Sequence, residues 1–303
     1  MLMRICAAIF AAATAAATAA PLTVPFDFSR HEIGLNVSVQ GKPLYMLLDT
    51  GVSPSVIDVQ RARALRLPLN TRGAGEGTGE GGGQQLAIPS TIQRLAIGGR
   101  DFGDIEALAT GLRGMSATYG RVLDGVLGYS FIKRNRILID YSAHTVTFYA
   151  DASAAAASLR QCRMRYAVPF VSLRDREFPV VQKFRIGNTT LPAALDTGSN
   201  RALGLYRRAL WLDGIRGTFK EQETQEASSV GGRYTTTDVV LSVPVGIGPF
   251  ETPAGLKASV MPDMGSANTR LAKIGNRLLA SMKLRLLLDY AGKQISFYGD
   301  CGM

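Results

Sequence analysis

The chain has 303 residues, of which 46% are apolar and 19% are charged, and its formal net charge is +10. This length suits one large or two modest domains, and the apolar content is sufficient for a packed core in each, which excludes a disordered chain. The 34 Lys and Arg residues are spread along the whole sequence. We therefore interpret the positive charge as ordinary solvated surface and expect no nucleic-acid partner.

The first twenty residues differ in composition from the rest of the chain. Arg4 is followed by an apolar run rich in Ala, which ends with the small residues Ala17 and Ala19. This order is typical of a secretory signal peptide, so we expect residues 1–19 to be cleaved off after Ala19. The alternative is an uncleaved membrane anchor, for which the run is short and poor in Leu. We expect an exported protein, periplasmic or secreted, without stable membrane insertion.

Short β-branched or alternating runs, separated by Gly turns, predict strands through most of the first half. The predicted strands are residues 22–28, 33–39, 44–48, 91–97, 104–109, 136–141 and 145–149. Helices are predicted at residues 57–65, 129–133, 205–212 and 278–282. Residues 151–164 are predicted to connect the two halves, either as irregular chain or, over the Ala-rich residues 151–158, as a short helix.

The second half of the chain repeats the first. An Asp-Thr-Gly triplet occurs at residues 49–51 and again at residues 196–198, an offset of 196 − 49 = 147, and each copy follows a hairpin pattern whose second strand is apolar. Gly128 and Gly275 are separated by the same 147 residues. Such a repeat predicts two homologous units. We therefore expect a mainly β protein with an N-terminal lobe at residues 22–150 and a C-terminal lobe at residues 165–303.

A glycine-rich stretch, residues 73–83, follows the first triplet. It contains a formal G-x-G-x-x-G pattern at Gly77, Gly79 and Gly82, but no strand leads into it and no helix follows, so a dinucleotide site is excluded. Its position predicts the tip of a β-hairpin, with a surface loop without function as the alternative. The equivalent stretch of the second half contains Gly231, Gly232 and Tyr234.

Three cysteines are present, and Cys6 lies in the expected signal peptide. The remaining two are Cys162, just before the first strand of the second lobe, and Cys301, just after its last strand. An even number of cysteines in an exported chain permits a disulfide, and this placement favours a bridge between Cys162 and Cys301. The alternative is two free thiols.

Carboxylates carry the chemistry that the sequence permits. The only two histidines, His31 and His144, lie in no pattern typical of a catalytic triad or a metal site, and no zinc-type spacing occurs. Two carboxyl groups held close together share one proton. A water molecule between them can then lose a proton to one group while the other protonates an amide carbonyl. We expect this chemistry to need neither a metal nor an organic cofactor.

These motifs resemble those of aspartic proteases of the pepsin and retroviral-protease type, especially exported bacterial proteins with two retropepsin-like lobes. The resemblance covers nearly all of the chain after residue 20. It implies two β-barrel-like lobes with few short helices, an active site between the lobes, and one or two hairpin flaps above it. The implied site comprises the catalytic pair Asp49 and Asp196, cross-loop hydrogen bonds from Thr50 and Thr197, backbone donors at Gly51 and Gly198, support from Ser199, and flap positions at Gly77, Gly79, Gly231, Gly232 and Tyr234.

The two half-sites differ at a few positions. Val52 follows the first triplet, where pepsin-like enzymes usually have Ser or Thr, whereas Ser199 follows the second. We therefore expect Asp196, supported by the Ser199 hydroxyl, to hold its charge more readily than Asp49. The apolar-apolar-Gly element that the family packs beneath each Asp loop matches residues 126–128 well and residues 273–275 less well.

The sequence therefore favours an aspartic-type endopeptidase that acts on polypeptides. We expect a monomer, because one chain contains both half-sites. The alternatives are a peptide- or ligand-binding protein that uses the same fold without catalysis, and a basic protein that binds the cell envelope. Both triplets retain their Asp, which favours the enzyme.

Overall fold

The computed structural model describes residues 20–78, 84–173, 176–229, 232–263 and 271–302. The expected signal peptide and the flap positions Gly79 and Gly231 lie outside these residues. Strands dominate the described part of the chain, as the sequence predicts. No helix in these residues is long and apolar enough to cross a membrane.

The first half of the chain contains a closed β-barrel of seven strands and three strands of a further sheet. Its strands are β1 (Leu22–Pro25), β2 (Gly34–Val39), β3 (Lys42–Leu48), β4 (Ser55–Asp58), β5 (Gly75–Thr78), β6 (Gln84–Ile97), β7 (Arg100–Thr110), β8 (Gly125–Leu127), β9 (Arg136–Asp140) and β10 (Thr145–Tyr149). Its helices are α1 (Val59–Ala64), α2 (Arg113–Tyr119) and α3 (Tyr129–Ile132), with a 3-10 turn at Thr71–Gly73. Seven strands pair in the order β2-β3-β8-β4-β7-β6-β5, and β2 also pairs with β6, which closes the sheet.

The second half contains a nine-stranded sheet in the order β17-β18-β21-β16-β22-β15-β14-β19-β20. The strands of this half are β11 (Cys162–Pro169), β12 (Val171–Leu173), β13 (Arg176–Phe178), β14 (Val180–Ile186), β15 (Thr189–Leu195), β16 (Leu203–Tyr206), β17 (Phe219–Ser229), β18 (Gly232–Leu241), β19 (Val245–Ile247), β20 (Phe250–Thr252), β21 (Lys257–Met261), β22 (Ala272–Ile274), β23 (Arg285–Asp289) and β24 (Gln294–Cys301). Its helices are α4 (Ala152–Ser158) and α5 (Asn276–Ser281), with a 3-10 turn at Arg207–Trp211.

A third sheet joins the two halves. Its six strands run in the order β1-β10-β9-β23-β24-β11, so the last strands of each half pair with each other at its centre. In the antiparallel pair β9–β23, Ile139 lies opposite Leu286, and both side chains are completely buried. Removal of such apolar side chains from water holds the two halves together.

The strand that leads into the first Asp-Thr-Gly triplet is buried on both faces. In β2 the inward side chains Leu35, Val37 and Val39 alternate along the strand, as the two-residue period requires. Residues 44–48 of β3 are all buried, because β2 and β8 flank the strand and a second apolar cluster around Tyr45 and Leu47 covers its other face. The chain therefore enters the triplet from a fixed position.

Helix positions agree less well with the sequence predictions than strand positions do. The helix predicted at residues 57–65 begins two residues later, because Ile57 and Asp58 still belong to β4 and the Asp58 side chain caps α1 by accepting from the amides of Gln60 and Arg61. The helix predicted at residues 205–212 is wrong, since Leu205 lies in β16 and only a 3-10 turn follows. The alternative of a helix in the connector is confirmed by α4.

Cys162 and Cys301 form a disulfide, as the sequence predicts. The two residues face each other at the end of the antiparallel pair β11–β24, and 139 positions separate them along the chain. The bridge therefore encloses the second half of the chain and holds its C-terminal strand. It also indicates an oxidising, exported environment.

The disulfide leads to a stability prediction. We expect the variant Cys162→Ser/Cys301→Ser to lose about 2–4 kcal/mol of unfolding free energy, because opening a long loop increases the freedom of the unfolded chain. Urea unfolding measures this difference. A reducing agent should lower the stability of the wild type to that of the variant and leave the variant unchanged; equal stabilities without reductant would contradict the prediction.

Candidate active site between the two lobes

Two equivalent strand ends carry the Asp-Thr-Gly triplets. Asp49 follows β3, which runs parallel to β8, and the Asp49 amide donates to the Leu127 carbonyl at 3.0 Å. Asp196 follows β15, which runs parallel to β22, and its amide donates to the Ile274 carbonyl at 2.9 Å. The internal repeat thus places both aspartates on loops of the same geometry.

The two threonines join the Asp loops through four reciprocal hydrogen bonds. The Thr50 amide donates to Thr197 Oγ1 at 3.0 Å, and the Thr197 amide donates to Thr50 Oγ1 at 3.1 Å. Each hydroxyl then donates to a carbonyl of the opposite strand, Thr50 Oγ1 to Leu195 at 2.8 Å and Thr197 Oγ1 to Leu48 at 2.9 Å. Thr197 is completely buried, so these bonds form away from water and fix the distance between the loops.

The carboxyl groups of Asp49 and Asp196 face each other and are hydrogen-bonded together. The Gly51 amide donates to Asp49 Oδ1 at 2.6 Å, and the Gly198 amide donates to Asp196 Oδ1 at 3.1 Å. A Cβ atom on Gly51 would lie only 2.9 Å from Asp196 Oδ1, so the absence of a side chain there allows the opposite carboxylate to approach. The glycine of each triplet therefore donates a backbone hydrogen bond to the aspartate and leaves space for the opposite carboxyl group.

The environments of the two carboxyl groups differ. Burial and the nearby charge of Asp196 raise the pKa of Asp49 well above its ordinary value of 3.8. Burial alone would raise the pKa of Asp196 too, but the charge and hydrogen bond of Lys273, together with hydrogen bonds from Asp49 and the Gly198 amide, outweigh burial, so this pKa falls below 3.8. With one group favouring the proton and the other the charge, the pair holds a single shared proton across a range of pH.

Lys273 is the main source of the lowered Asp196 pKa, a role that the sequence does not reveal. Its Nζ contacts Asp196 Oδ2, and the Lys273 and Asp196 side chains are only 13% and 8% exposed. The expected direction of the asymmetry is present, but we expected the Ser199 hydroxyl to cause it. In the structure Ser199 Oγ accepts from the Arg201 amide at 3.4 Å, and Lys273 is the cation on Asp196.

Gly128 and Gly275 lie directly beneath the Asp loops. A Cβ atom on Gly128 would lie 2.5 Å from the Val52 carbonyl oxygen, and one on Gly275 would meet the Arg201 carbonyl oxygen. These approaches leave no room for any other residue. Next to Gly275, the buried Asn276 accepts from the Tyr141 hydroxyl at 2.8 Å and donates to the Thr197 carbonyl at 2.7 Å. Asn276 therefore ties the second Asp loop to the first half of the chain, a contact that the sequence did not reveal.

Each half of the chain supplies a hairpin of the kind expected for a flap. In the first, Gly77 of β5 pairs with Gln85 of β6. In the second, Gly232 and Tyr234 of β18 pair with Ser229 and Ala227 of β17. Strand β17 also lies against helix α2 of the first half, so the second hairpin reaches across the boundary between the halves.

Glu32 is a buried carboxyl near the Asp pair that sequence reasoning missed. The residue is 9% exposed, and its Oε2 atom has no hydrogen-bond partner in the described part of the chain. Burial raises the pKa of Glu32 from 4.5 to about 8, although the Tyr119 hydroxyl and the charges of Arg30 and Arg277 act in the opposite direction. The charge of Asp196 adds to the increase. Glu32 therefore binds its proton to a much higher pH than an exposed glutamate does.

The histidines take no part in the geometry described above. His31 and His144 pack against the ring of Phe28, as expected for structural residues. Within the described ranges, no group of three or more His, Cys, Asp or Glu side chains is placed to hold a metal ion.

Comparison with known families identifies the first lobe. The family model described as aspartyl protease matches residues 35–131, which include Asp49 and the element at residues 126–128. Over these residues the N-terminal lobe is similar to aspartyl proteases. The expected family is thus confirmed. The matched residues include the loop of Asp49, whose carboxyl group faces Asp196.

Solved structures extend the likeness to the whole chain. Basic 7S globulin from soybean is 12% identical, has a TM-score of 0.50, and is matched over 92% of this chain and 94% of its own. Conglutin gamma, a basic 7S globulin from lupine seeds, is 11% identical, with a TM-score of 0.51 and coverages of 93% and 95%. At such identities the likeness shows the fold, which is the expected two-lobed, mainly β acid protease fold. Sequence comparison with curated proteins finds no match.

The cross-loop hydrogen bonds of this aspartyl protease fold lead to a second prediction. We expect Thr197→Val to lower the free energy of unfolding by about 1–3 kcal/mol, because the partly buried Thr50 amide and the buried Leu48 carbonyl lose their partner. The matched control is Thr190→Val, at an exposed position of the same strand. Chemical unfolding of both variants tests the prediction, which fails if their stabilities agree.

Glu32 leads to a third prediction, on pH. Because its pKa is about 8 in the folded protein and near 4.5 when unfolded, the folded state binds more protons between these values, so the contribution of Glu32 to stability falls as the pH rises. Glu32→Gln, which cannot ionise, should remove this dependence and gain stability over the wild type between about pH 4.5 and pH 8. Unfolding free energies of the wild type and Glu32→Gln at several pH values measure this pH dependence. The prediction is wrong if the unfolding free energies of the two proteins change in parallel with pH.

Proposed function

We propose that the chain is an aspartic-type endopeptidase that hydrolyses polypeptides with a water molecule activated between Asp49 and Asp196. The observation that carries the proposal is the pair of facing carboxyl groups, one with a raised and one with a lowered pKa, on loops joined by reciprocal threonine hydrogen bonds. The family match of the first lobe supports it. The chemistry requires only water and the two side chains.

The geometry suggests a division of labour between the two groups. Asp196 is the carboxylate, so it takes a proton from the water as the water oxygen bonds to the amide carbon. Asp49 carries the shared proton and gives it to the carbonyl oxygen. The resulting tetrahedral intermediate collapses when Asp196 returns its proton to the amide nitrogen, the C–N bond breaks, and a hydroxyl of the intermediate restores the proton of Asp49. The carboxyl groups of Asp49 and Asp196 exchange protons in this cycle, while the loops that carry them hardly need to move.

The surroundings of the pair suit a peptide substrate. Each lobe supplies a hairpin, and β17 of the second hairpin lies against α2 of the opposite half. An extended peptide lying beneath such hairpins would be shielded from water while bond cleavage takes place. We also propose that the protein acts as a monomer, because one chain supplies both aspartates, and that it is periplasmic or secreted, in line with the disulfide.

The decisive experiment compares Asp49→Asn, Asp196→Asn and Asp213→Asn on denatured protein substrates from acidic to neutral pH. We expect the first two variants to lose about 10²–10⁴-fold in kcat/KM, because each removes one partner of the acid and base pair. Asp213 is exposed and serves as the matched control, with activity close to that of the wild type. A statine-type peptide inhibitor should block the wild type. Cleavage that persists in Asp49→Asn would overturn the mechanism, and tight peptide binding without cleavage by the wild type would indicate a binding protein instead.

A further inference from the structure

Lys273 occupies a position where the other half of the chain has an apolar residue. In the first half, Val126 of β8 pairs with Leu47, which precedes Asp49 by two residues. In the second half, Lys273 of β22 pairs with Ala194, which precedes Asp196 by two residues. The two positions are 273 − 126 = 147 residues apart, as the triplets are. The fold therefore places a valine beside one aspartate and a lysine beside the other.

The space around Lys273 also differs from that around Val126. Val126 packs in an apolar cluster with Tyr45, Leu47 and Val56, and Val56 is its partner on the antiparallel strand. The partner of Lys273 on the antiparallel strand is Gly204, which has no side chain to cover it. A Cβ atom on Gly204 would lie 3.5 Å from Lys273 Cβ and 2.9 Å from the sulfur of Met261. The missing side chain of Gly204 thus leaves space that Met261 fills next to Lys273, and the Lys273 ammonium contacts the Asp196 carboxylate.

The contact is made at one particular oxygen of Asp196. Asp196 Oδ1 accepts from the Gly198 amide, whereas Lys273 Nζ contacts Oδ2. A bare carboxylate this well buried would be costly, and a buried ammonium without a partner equally so. Each ion therefore stabilises the charge of the other, and the hydrogen bond from Asp49 adds to the stabilisation of the Asp196 carboxylate.

Two other carboxyl groups act on this ion pair. Asp49 faces Asp196 from the opposite loop, and Glu32 acts on it from the chain before β2. Arg30 and Arg277 act on Glu32. Under acidic conditions, well below its pKa of about 8, Glu32 is mostly protonated, and the ammonium of Lys273 contacts Asp196 directly.

We propose that Lys273 is a positioning residue that fixes Asp196 as the charged member of the pair, and so assigns the base role to Asp196 and the acid role to Asp49. This inference rests on the proposed endopeptidase function. Lys273 keeps its own proton throughout. Its effect is to prevent protonation of Asp196 when the pH falls, so that the pair retains one proton and one charge under acidic conditions where two protons would otherwise stop the reaction.

The first experiment measures pH profiles of kcat/KM for the wild type, Lys273→Met, Lys273→Arg and Lys42→Met. Met matches the apolar stem of lysine without its charge, Arg keeps the charge, and Lys42 is an exposed lysine on β3. For Lys273→Met we expect the ratio of activity at about pH 3.5 to activity at about pH 6.5 to fall about tenfold, mainly in kcat, because the opposite charge that favours the ionised carboxylate is gone. Lys273→Arg and Lys42→Met should keep profiles close to that of the wild type.

The second experiment needs no activity and applies even if Lys273→Met is unstable. Unfolding free energies are measured for Lys273→Met, Asp196→Asn and the double variant, as a double-mutant cycle. Lys273→Met should destabilise the wild type strongly and the Asp196→Asn protein much less, because only the former leaves a buried carboxylate unpaired.

The possible results separate the two proposals. An acid limb of Lys273→Met that coincides with that of the wild type, or additive stabilities in the cycle, overturns the role of Lys273 even if both Asp→Asn variants are inactive. Activity that survives in the Asp→Asn variants overturns the endopeptidase mechanism itself, whatever the cycle shows. A shifted profile in Lys273→Met that Lys273→Arg restores, together with coupling to Asp196, supports the assignment.

Discussion

Two carboxyl groups packed against each other with little water cannot both carry a charge at low cost, and the site of this protein follows from that constraint. The four threonine hydrogen bonds hold the groups at contact, which the groups would not maintain alone. Glycine in each triplet gives backbone donation without bulk. The ammonium of Lys273 then decides which group is charged. The close approach of the two carboxyl groups makes them share one proton. The ammonium of Lys273, which contacts only Asp196 of the two, favours the proton on Asp49.

The scaffold around the pair keeps these contacts rigid. Buried strands lead into both loops, and Gly128 and Gly275 let the supporting elements approach without a side chain between them. Asn276 connects the second loop to Tyr141 of the first half, and the shared six-stranded sheet joins the halves behind it. A change of angle between the lobes would therefore disturb the loops and the sheet together, which favours motion in the hairpins over motion of the lobes.

The sequence predicted the features that a duplication preserves. Triplets, strand patterns and paired glycines recur at a fixed offset, so the family, the mainly β fold and the two Asp loops could be anticipated from them. Features that exist in one half alone were missed or misplaced. Lys273 looked like a poor match to an apolar motif, and a single glutamate such as Glu32 has no pattern that reveals its burial. The helix expected near Leu205 failed because apolar spacing does not distinguish a buried strand from a helix in so short a run.

The lysine also bears on why the two lobes are joined in one chain. A symmetric dimer of the first lobe would have no cation beside its aspartates, and a symmetric dimer of the second would have one beside each, so in neither would the partners differ. Fusion of two diverged copies permits one apolar and one cationic neighbour. The difference has a cost in basicity, since a carboxylate stabilised by an ammonium is a weaker proton acceptor. In this protein the base is therefore weaker than an unpaired carboxylate would be, but Asp196 is consistently the aspartate that acts as the base.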